Sequence, residues 1–186
     1  MKKYIHAGLR MMNGFFKAVL LKLTCGKSFN GKLVCLISPR TEITLDRGGQ
    51  LFWGQMLKVR SGCKVRVRKN AKLAVGDNFS MSNNGVITAR ESIRIGSNVQ
   101  FGPGVLVYDH DHDYKAHGGL AAKKYKTSPI EIGDNVWIGA NSIILRGTKI
   151  GSNCVVAAGT IVRGEIPDGS LVYQKRDTQI KVIDME

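Results

Sequence analysis

Proline is scarce in this chain, four residues in 186, and no long uncharged apolar run occurs. Scarce proline beside 22 glycines fits a turn-rich repeat and excludes collagen-like or proline-rich disordered chains. The best candidate for a membrane segment, Phe15–Leu23, is broken by Lys17 and Lys22 and is too short to cross a bilayer. The same lysines charge what would be the apolar stretch of a secretory leader, which sets that reading aside. Four scattered cysteines (Cys25, Cys35, Cys63, Cys154) form no CxxC pair, so neither a disulfide framework nor a thiolate zinc site is indicated. A reducing cytoplasmic compartment is expected. Acids are nearly missing from the first 72 positions. There Glu42 and Asp46 face 16 Lys and Arg, which accounts for the whole formal charge of +14.

What the chain does have is a period of six. Ile132, Ile138, Ile144, Ile150, Val156 and Val162 recur at that step, with small or β-branched residues two positions earlier (Val136, Ser142, Thr148, Cys154, Thr160). Six is neither a helical period nor strand alternation. Such hexapeptides build a parallel β-helix, one flat face each, with the aliphatic side chain inward and small residues at the corners. Cys154 occupies a small inward position and reads as a buried thiol. The pattern continues upstream through Ile95, Phe101 and Val107, then Val75, Met81 and Ile87, and in weaker form through Leu45, Leu51, Leu57 and Cys63. Between Val107 and Ile132 it fails, so residues 109–128 are expected to leave the solenoid as a loop, and long excursions of this kind are commonly functional. The expected organisation is a basic amphipathic segment over 1–40, the β-helix over 41–172 and a tail over 173–186.

A charge asymmetry of this size implies an anionic partner. Nucleic acid fits poorly, because the basic region lacks interleaved surface aromatics and any recognition-helix pattern. The first 25 residues mix apolar groups (Leu9, Met12, Phe15, Phe16, Leu20, Leu23) with Lys2, Lys3, Arg10, Lys17 and Lys22. On a helix this gives an apolar face flanked by cations, the composition of a segment lying on an anionic membrane surface. The same helix can instead cap the first turn of the solenoid, whose ends must be covered. Both readings stand at this point.

Candidate chemistry gathers where the period breaks. Asp109-His110-Asp111-His112-Asp113 places two of the four histidines among three aspartates. If extended, His110 and His112 share one face and the aspartates the other. Imidazole is the natural general base near neutral pH, and a carboxylate or main-chain carbonyl can hold its orientation. A metal site built on HxH is set aside, since no further ligands have zinc spacing. A plain solvated loop carries the same pattern.

These residues lead to a resemblance. The stretch from Ile130 to Pro167, with its Val136-Trp137-Ile138-Gly139 block, and Phe101-Gly102-Pro103-Gly104-Val105 upstream, resemble the hexapeptide-repeat acyltransferases, in particular the maltose and galactoside O-acetyltransferase branch. The resemblance implies a left-handed coil and transfer of acetyl from acetyl-CoA to a sugar hydroxyl, with no covalent acyl-enzyme and no metal. By position the family's base falls on His112, with His110, Asp109 and Asp111 as supporting candidates. The resemblance further implies a homotrimer with active sites between subunits. Coenzyme A would lie along Gly139, Ala140, Ala157 and Ala158, with Trp137 near the thioester, Arg163 near the nucleotide phosphates, and Lys175 and Arg176 near the 3′-phosphate.

Departures narrow the acceptor. Asn84 and Ser82 are the acceptor candidates, but Ala89 and Arg90 stand where the family has an acidic pair, and Val172-Tyr173-Gln174 replaces its closing motif. Asn84 also suits a left-handed corner. The expected acceptor is a surface glycan, from capsule or lipopolysaccharide, handled in the cytoplasm or at the inner membrane face. Acetylation of an antibiotic is the alternative enzymatic reading. A non-catalytic scaffold or glycan-binding module is the alternative outside enzymes.

Overall fold

The computed structural model describes residues 2–175 and 177–181, with side chains from residue 7 onward; Arg176 and residues 182–186 of the expected tail lie outside the described residues. Helix α1 (Lys2–Cys25) leads into a stack of short strands whose first turn is β1 (Phe29–Gly31), β2 (Cys35–Ile37) and β3 (Glu42–Leu45). Every later strand of the stack lies parallel on its equivalent one turn back, giving three sheets of seven, seven and six strands. The molecule is therefore a three-sided parallel β-helix, with six complete turns and two further strands among the described residues. The stack begins at Phe29, inside the segment assigned above to the N-terminus. The short, irregular repeats there carry too little period for the sequence pattern to register them.

The six-residue columns form the core. Ile132, Ile138, Ile144, Ile150, Val156 and Val162 are all buried, as are their partners two positions earlier. Upstream the period slips. Leu51 pairs with Leu73, 22 residues on, whereas Ile132 pairs with Ile150, 18 residues on. The extra residues lengthen the third face, where Val67 and Ala89 add an inward position beyond Val65 and Ile87. In consequence the column of Val75, Met81 and Ile87 continues through Trp53, Val59 and Val65, while Leu51, Leu57 and Cys63 line the companion column. Aromatic pairs fill this wider cross-section: Phe29 against Trp53 (4.6 Å) and Phe79 against Phe101 (5.1 Å), both edge to face.

Corners are built from repeated polar ladders. At the turn from first to second face, Asn78, Asn98 and Asn135 each donate an amide N–H to the amide oxygen of the next, ending at Asn153, at 3.0–3.2 Å. Each adopts positive φ, which asparagine tolerates better than other side chains. Successive turns approach so closely here that a Cβ on Gly133 would lie 2.7 Å from Ser152 N.

Helix α1 covers the open end of the stack. Ala18 is fully buried, and Gly14 lies so close over β2 that a Cβ would meet Cys35 O at 2.3 Å. Asn13 Nδ2 donates to Ile37 O (2.9 Å) and Lys17 Nζ to Thr41 O (2.5 Å), so edge carbonyls that no strand pairs find partners. Burial pulls the Lys17 amine below its ordinary pKa. The capping role is thus realised, and no helix among the described residues is long and apolar enough to cross a membrane. Ile138→Ala, at a fully buried column position, is expected to cost about 2–5 kcal/mol in urea unfolding.

Candidate active site

The excursion leaves at the corner between third and first faces, after Leu106–Tyr108 and before Ile130–Ile132. Its mouth is closed by one backbone bond, Ser128 N to Asp109 O at 2.9 Å. His110–His112 pairs antiparallel with Tyr125–Thr127, so the loop begins and ends as a hairpin standing off the stack.

Asp109 anchors that hairpin. Its side chain is 0 % exposed and accepts from Arg90 N (2.8 Å) and Glu91 N (2.8 Å) one turn back, with His110 Nδ1 at 3.1 Å from Oδ1. Simple alternation places all three aspartates away from the imidazoles. The chain bends at Asp109, between stack and hairpin, and so brings this carboxylate against His110. Asp111 faces outward and accepts from Arg146 Nε (2.6 Å), while Asp113 lies 3.5 Å from Lys126 Nζ.

The two histidines differ in environment. His110 is enclosed by Asp109, Tyr108 and Tyr125, with ring centroids 5.7 and 5.5 Å away. His112 is exposed, its ring 4.7 Å from that of Tyr125. The Arg90 guanidinium stacks 3.4 Å from the Tyr125 centroid, so one tyrosine is held between a cation and both imidazoles. Tyr125 and Arg146 were not foreseeable as site residues. Neither carries a motif, and only the hairpin register sets Tyr125 opposite His112. Arg90 had a signal, as the basic residue at an expected acidic position.

Most of the remaining candidates gather at another corner, between second and third faces; Arg163, which follows Ile161–Val162 of the third face, lies instead at the hairpin's corner. Ser82 and Asn84 stand there with Gly139-Ala140 and Ala157-Ala158 on later turns, joined by Gly102 N to Ile138 O (2.8 Å) and Gly139 N to Val156 O (2.7 Å). Stacking alone requires Gly139 to be small, since a Cβ would lie 2.5 Å from Ala158 N. Ala158 is exposed and Ala140 half-buried, which leaves the corner backbone open to a flat ligand. Trp137 is 58 % exposed on the second face, just before this corner. Asn84 has φ +61 and donates its N–H to Ser61 O, the geometry of a structural corner asparagine. Arg163 and Lys175 are exposed, and Arg176 lies outside the described residues. Gln174 exchanges hydrogen bonds with the backbone of Ile161, closing the free edge of the third face. Within one chain the histidine hairpin and the small-residue corner are therefore not brought together.

Burial pushes the Cys35 thiol up to about 11 and the Cys63 thiol also upward, so both stay protonated at neutral pH. Among the described residues no group of three or more His, Cys, Asp or Glu converges on a metal-sized site. A groove of about 900 Å³ along the first face is bordered by the ion pairs Arg94–Glu131 and Lys149–Glu165 and contains none of the candidate residues.

Comparison with known proteins places this architecture. Residues 129–163 match the family described as hexapeptide repeat of succinyl-transferase. A crystal structure of a maltose O-acetyltransferase from Clostridium difficile 630 aligns with 69 % of this chain and 63 % of its own, at TM-score 0.51 and 30 % identity. The chain carries the repeat and the fold of the hexapeptide-repeat acyltransferase family. Its β-helix is accordingly of the left-handed kind. The Saccharomyces cerevisiae protein YJL218W, named as a candidate acetyltransferase, is 39 % identical over 98 residues, covering 53 % of this chain and 50 % of that one. Escherichia coli WbbJ, named as a candidate lipopolysaccharide-biosynthesis O-acetyltransferase, is 26 % identical over 132 residues and covers 67 % of each. WbbJ aside, the chain spans about half the length, or less, of the first curated relatives it matches.

Asp109→Asn is expected to cost about 1–3 kcal/mol: the amide oxygen can keep both backbone donors, as Oδ2 does, but the bonds lose their charge assistance and a buried NH2 group replaces Oδ1 against Arg90 N. Denaturant unfolding measures the loss, and faster amide exchange at Arg90 and Glu91 locates it.

Proposed function

We propose that this chain is an O-acetyltransferase that moves an acetyl group from acetyl-CoA to a sugar hydroxyl of a surface glycan. The reading is carried by one observation: a braced Asp-His-Asp-His hairpin, standing off a hexapeptide-repeat stack, that presents an exposed imidazole at His112. His112 takes the hydroxyl proton as the sugar oxygen bonds to the thioester carbonyl carbon. Carbon–sulfur cleavage then expels the CoA thiolate, and the His112 imidazolium returns the proton to it. Tyr125 and the Asp109–His110 pair hold the hairpin and so the base. The protonated Cys35 and Cys63 offer no competing nucleophile, which suits direct transfer.

Acetyl-CoA is assigned to the corner of Gly139, Ala140, Ala157 and Ala158, where exposed backbone and short side chains admit its pantetheine arm. Trp137 flanks the thioester end and Lys175 supplies a cation toward the phosphates, while Arg163, on the hairpin's edge, joins them from the neighbouring copy that brings the hairpin. Ser82, on the same corner, and Asn84 serve the acceptor. Because hairpin and corner lie on different edges of the triangle, each site is completed by a neighbouring copy in a homotrimer. The surface-glycan acceptor is supported by the likeness to WbbJ and by the loss of the acidic pair at Ala89 and Arg90.

His112→Ala should lower kcat/KM at least about a hundredfold in a thiol-release assay with glycan repeat units as acceptors, while acetyl-CoA binding is kept. If His110→Ala were the dead variant and His112→Ala active, the base would be His110, held by Asp109. A shared site makes a further demand. Ala158→Phe, which blocks the corner, should raise the KM for acetyl-CoA at least about tenfold. Co-refolding it with His112→Ala should restore turnover through mixed trimers, and no recovery would place both halves of the site within one subunit.

A further inference from the structure

We infer that the outer face of helix α1 is a docking surface for an anionic lipid bilayer. Capping explains one side of the helix, through Asn13, Gly14, Lys17 and Ala18, and leaves the other side unexplained. Leu9, Met12, Phe16, Leu20 and Leu23 follow each other at steps of three and four residues, so they form one stripe along the helix. All five are exposed, Phe16 by 64 % and Leu23 by 78 %, with Phe15 beside them at 45 %. A stripe of large apolar groups this continuous has no role in water. The packing against β2 fixes the helix so that the stripe faces away from the stack.

The charge around the stripe selects the occupant. Lys22 and Lys27 are exposed at the C-terminal end of the helix, and Arg10 borders a groove of about 580 Å³ with Lys58 and Arg60 on the adjoining second face. Residues 1–72, which form the helix and the first turns, hold 16 cations and two acids. The apolar stripe thus sits at a strongly basic end of the molecule. A second copy docked through the same face would bring two such ends together against their repulsion. Nucleic acid would neutralise the cations yet leave the apolar side chains without a partner. A bilayer of anionic lipid satisfies both: its headgroups meet the lysines and arginines, and its acyl boundary takes up Phe16, Leu20 and their neighbours. The inference does not depend on the catalytic assignment, since none of these residues lies in the proposed site.

Vesicle co-sedimentation of the full chain tests it, with phosphatidylcholine alone and with about a third phosphatidylglycerol. The expected result is binding to the anionic vesicles, weakened by salt. Phe16→Asp with Leu20→Asp should reduce that binding at least about tenfold, with unchanged thermal unfolding because both positions face solvent. Failure of the wild-type chain to bind anionic vesicles, or equal binding by the doubly substituted chain, overturns the proposal. So does a fall in oligomer mass in the substituted chain without any vesicle binding by the wild type, which would assign the stripe to a second copy. Acetyl transfer to a soluble acceptor, measured in parallel, should be the same in both chains; its absence in both would concern the catalytic reading alone.

Discussion

Each turn of this solenoid must land on the turn before it at backbone hydrogen-bonding distance, and the rest of the structure follows from that. Parallel strands pay the entropy of long crossovers only when every crossover repeats the same path. Repetition imposes aliphatic columns on the faces and left-handed or very small residues at the corners. A Cβ at Gly133 or Gly139 would push into the next turn, and the asparagine ladder works because four equivalent side chains arrive at the same corner on successive turns. The stack is correspondingly intolerant inside and permissive outside, so new chemistry is carried on its outer surface or where the chain leaves it.

That departure occurs once among the described residues, and its cost is met locally. Asp109 stands where the preceding turns of the third face carry Val67 and Ala89, so a carboxylate replaces an apolar side chain at the point of exit. Unpaired, it would be expensive to bury. Two backbone N–H groups of the previous turn and the His110 ring satisfy it, and in doing so they tether the hairpin to the stack. Arg90 and Arg146, from the turns on either side, add a guanidinium against Tyr125 and an ion pair to Asp111. The excursion is thereby braced, its foot held by the same repeat that forms the core.

The two ends of the stack are treated differently. At one end helix α1 supplies Asn13 and Lys17 to edge carbonyls and buries Ala18 and Gly14 against β2, which blunts an edge that would otherwise recruit another strand. At the other, Gln174 uses its amide as a substitute strand for Ile161. The first solution leaves a broad apolar face outward, at an end of the stack that is strongly basic.

The sequence by itself determined the fold class, the extent of the excursion and the identity of the core columns in the regular turns. An uninterrupted period of six admits one packing, and a break in that period marks where the chain departs. It did not determine the register of the first turns, because a third face lengthened by a few residues leaves local composition unchanged while shifting every column. It offered two readings of the N-terminal helix, since an amphipathic pattern is the same whichever side is covered. Only the tertiary structure decided that Gly14 and Ala18 face the stack and that Phe16 and Leu23 do not. The setting of the histidines was likewise a tertiary matter. Asp109 reaches His110 through a bend, and Tyr125 meets His112 across a hairpin whose register no local pattern encodes. Contacts between residues far apart in sequence depend on where the backbone turns, and alternation along a single strand carries no record of that.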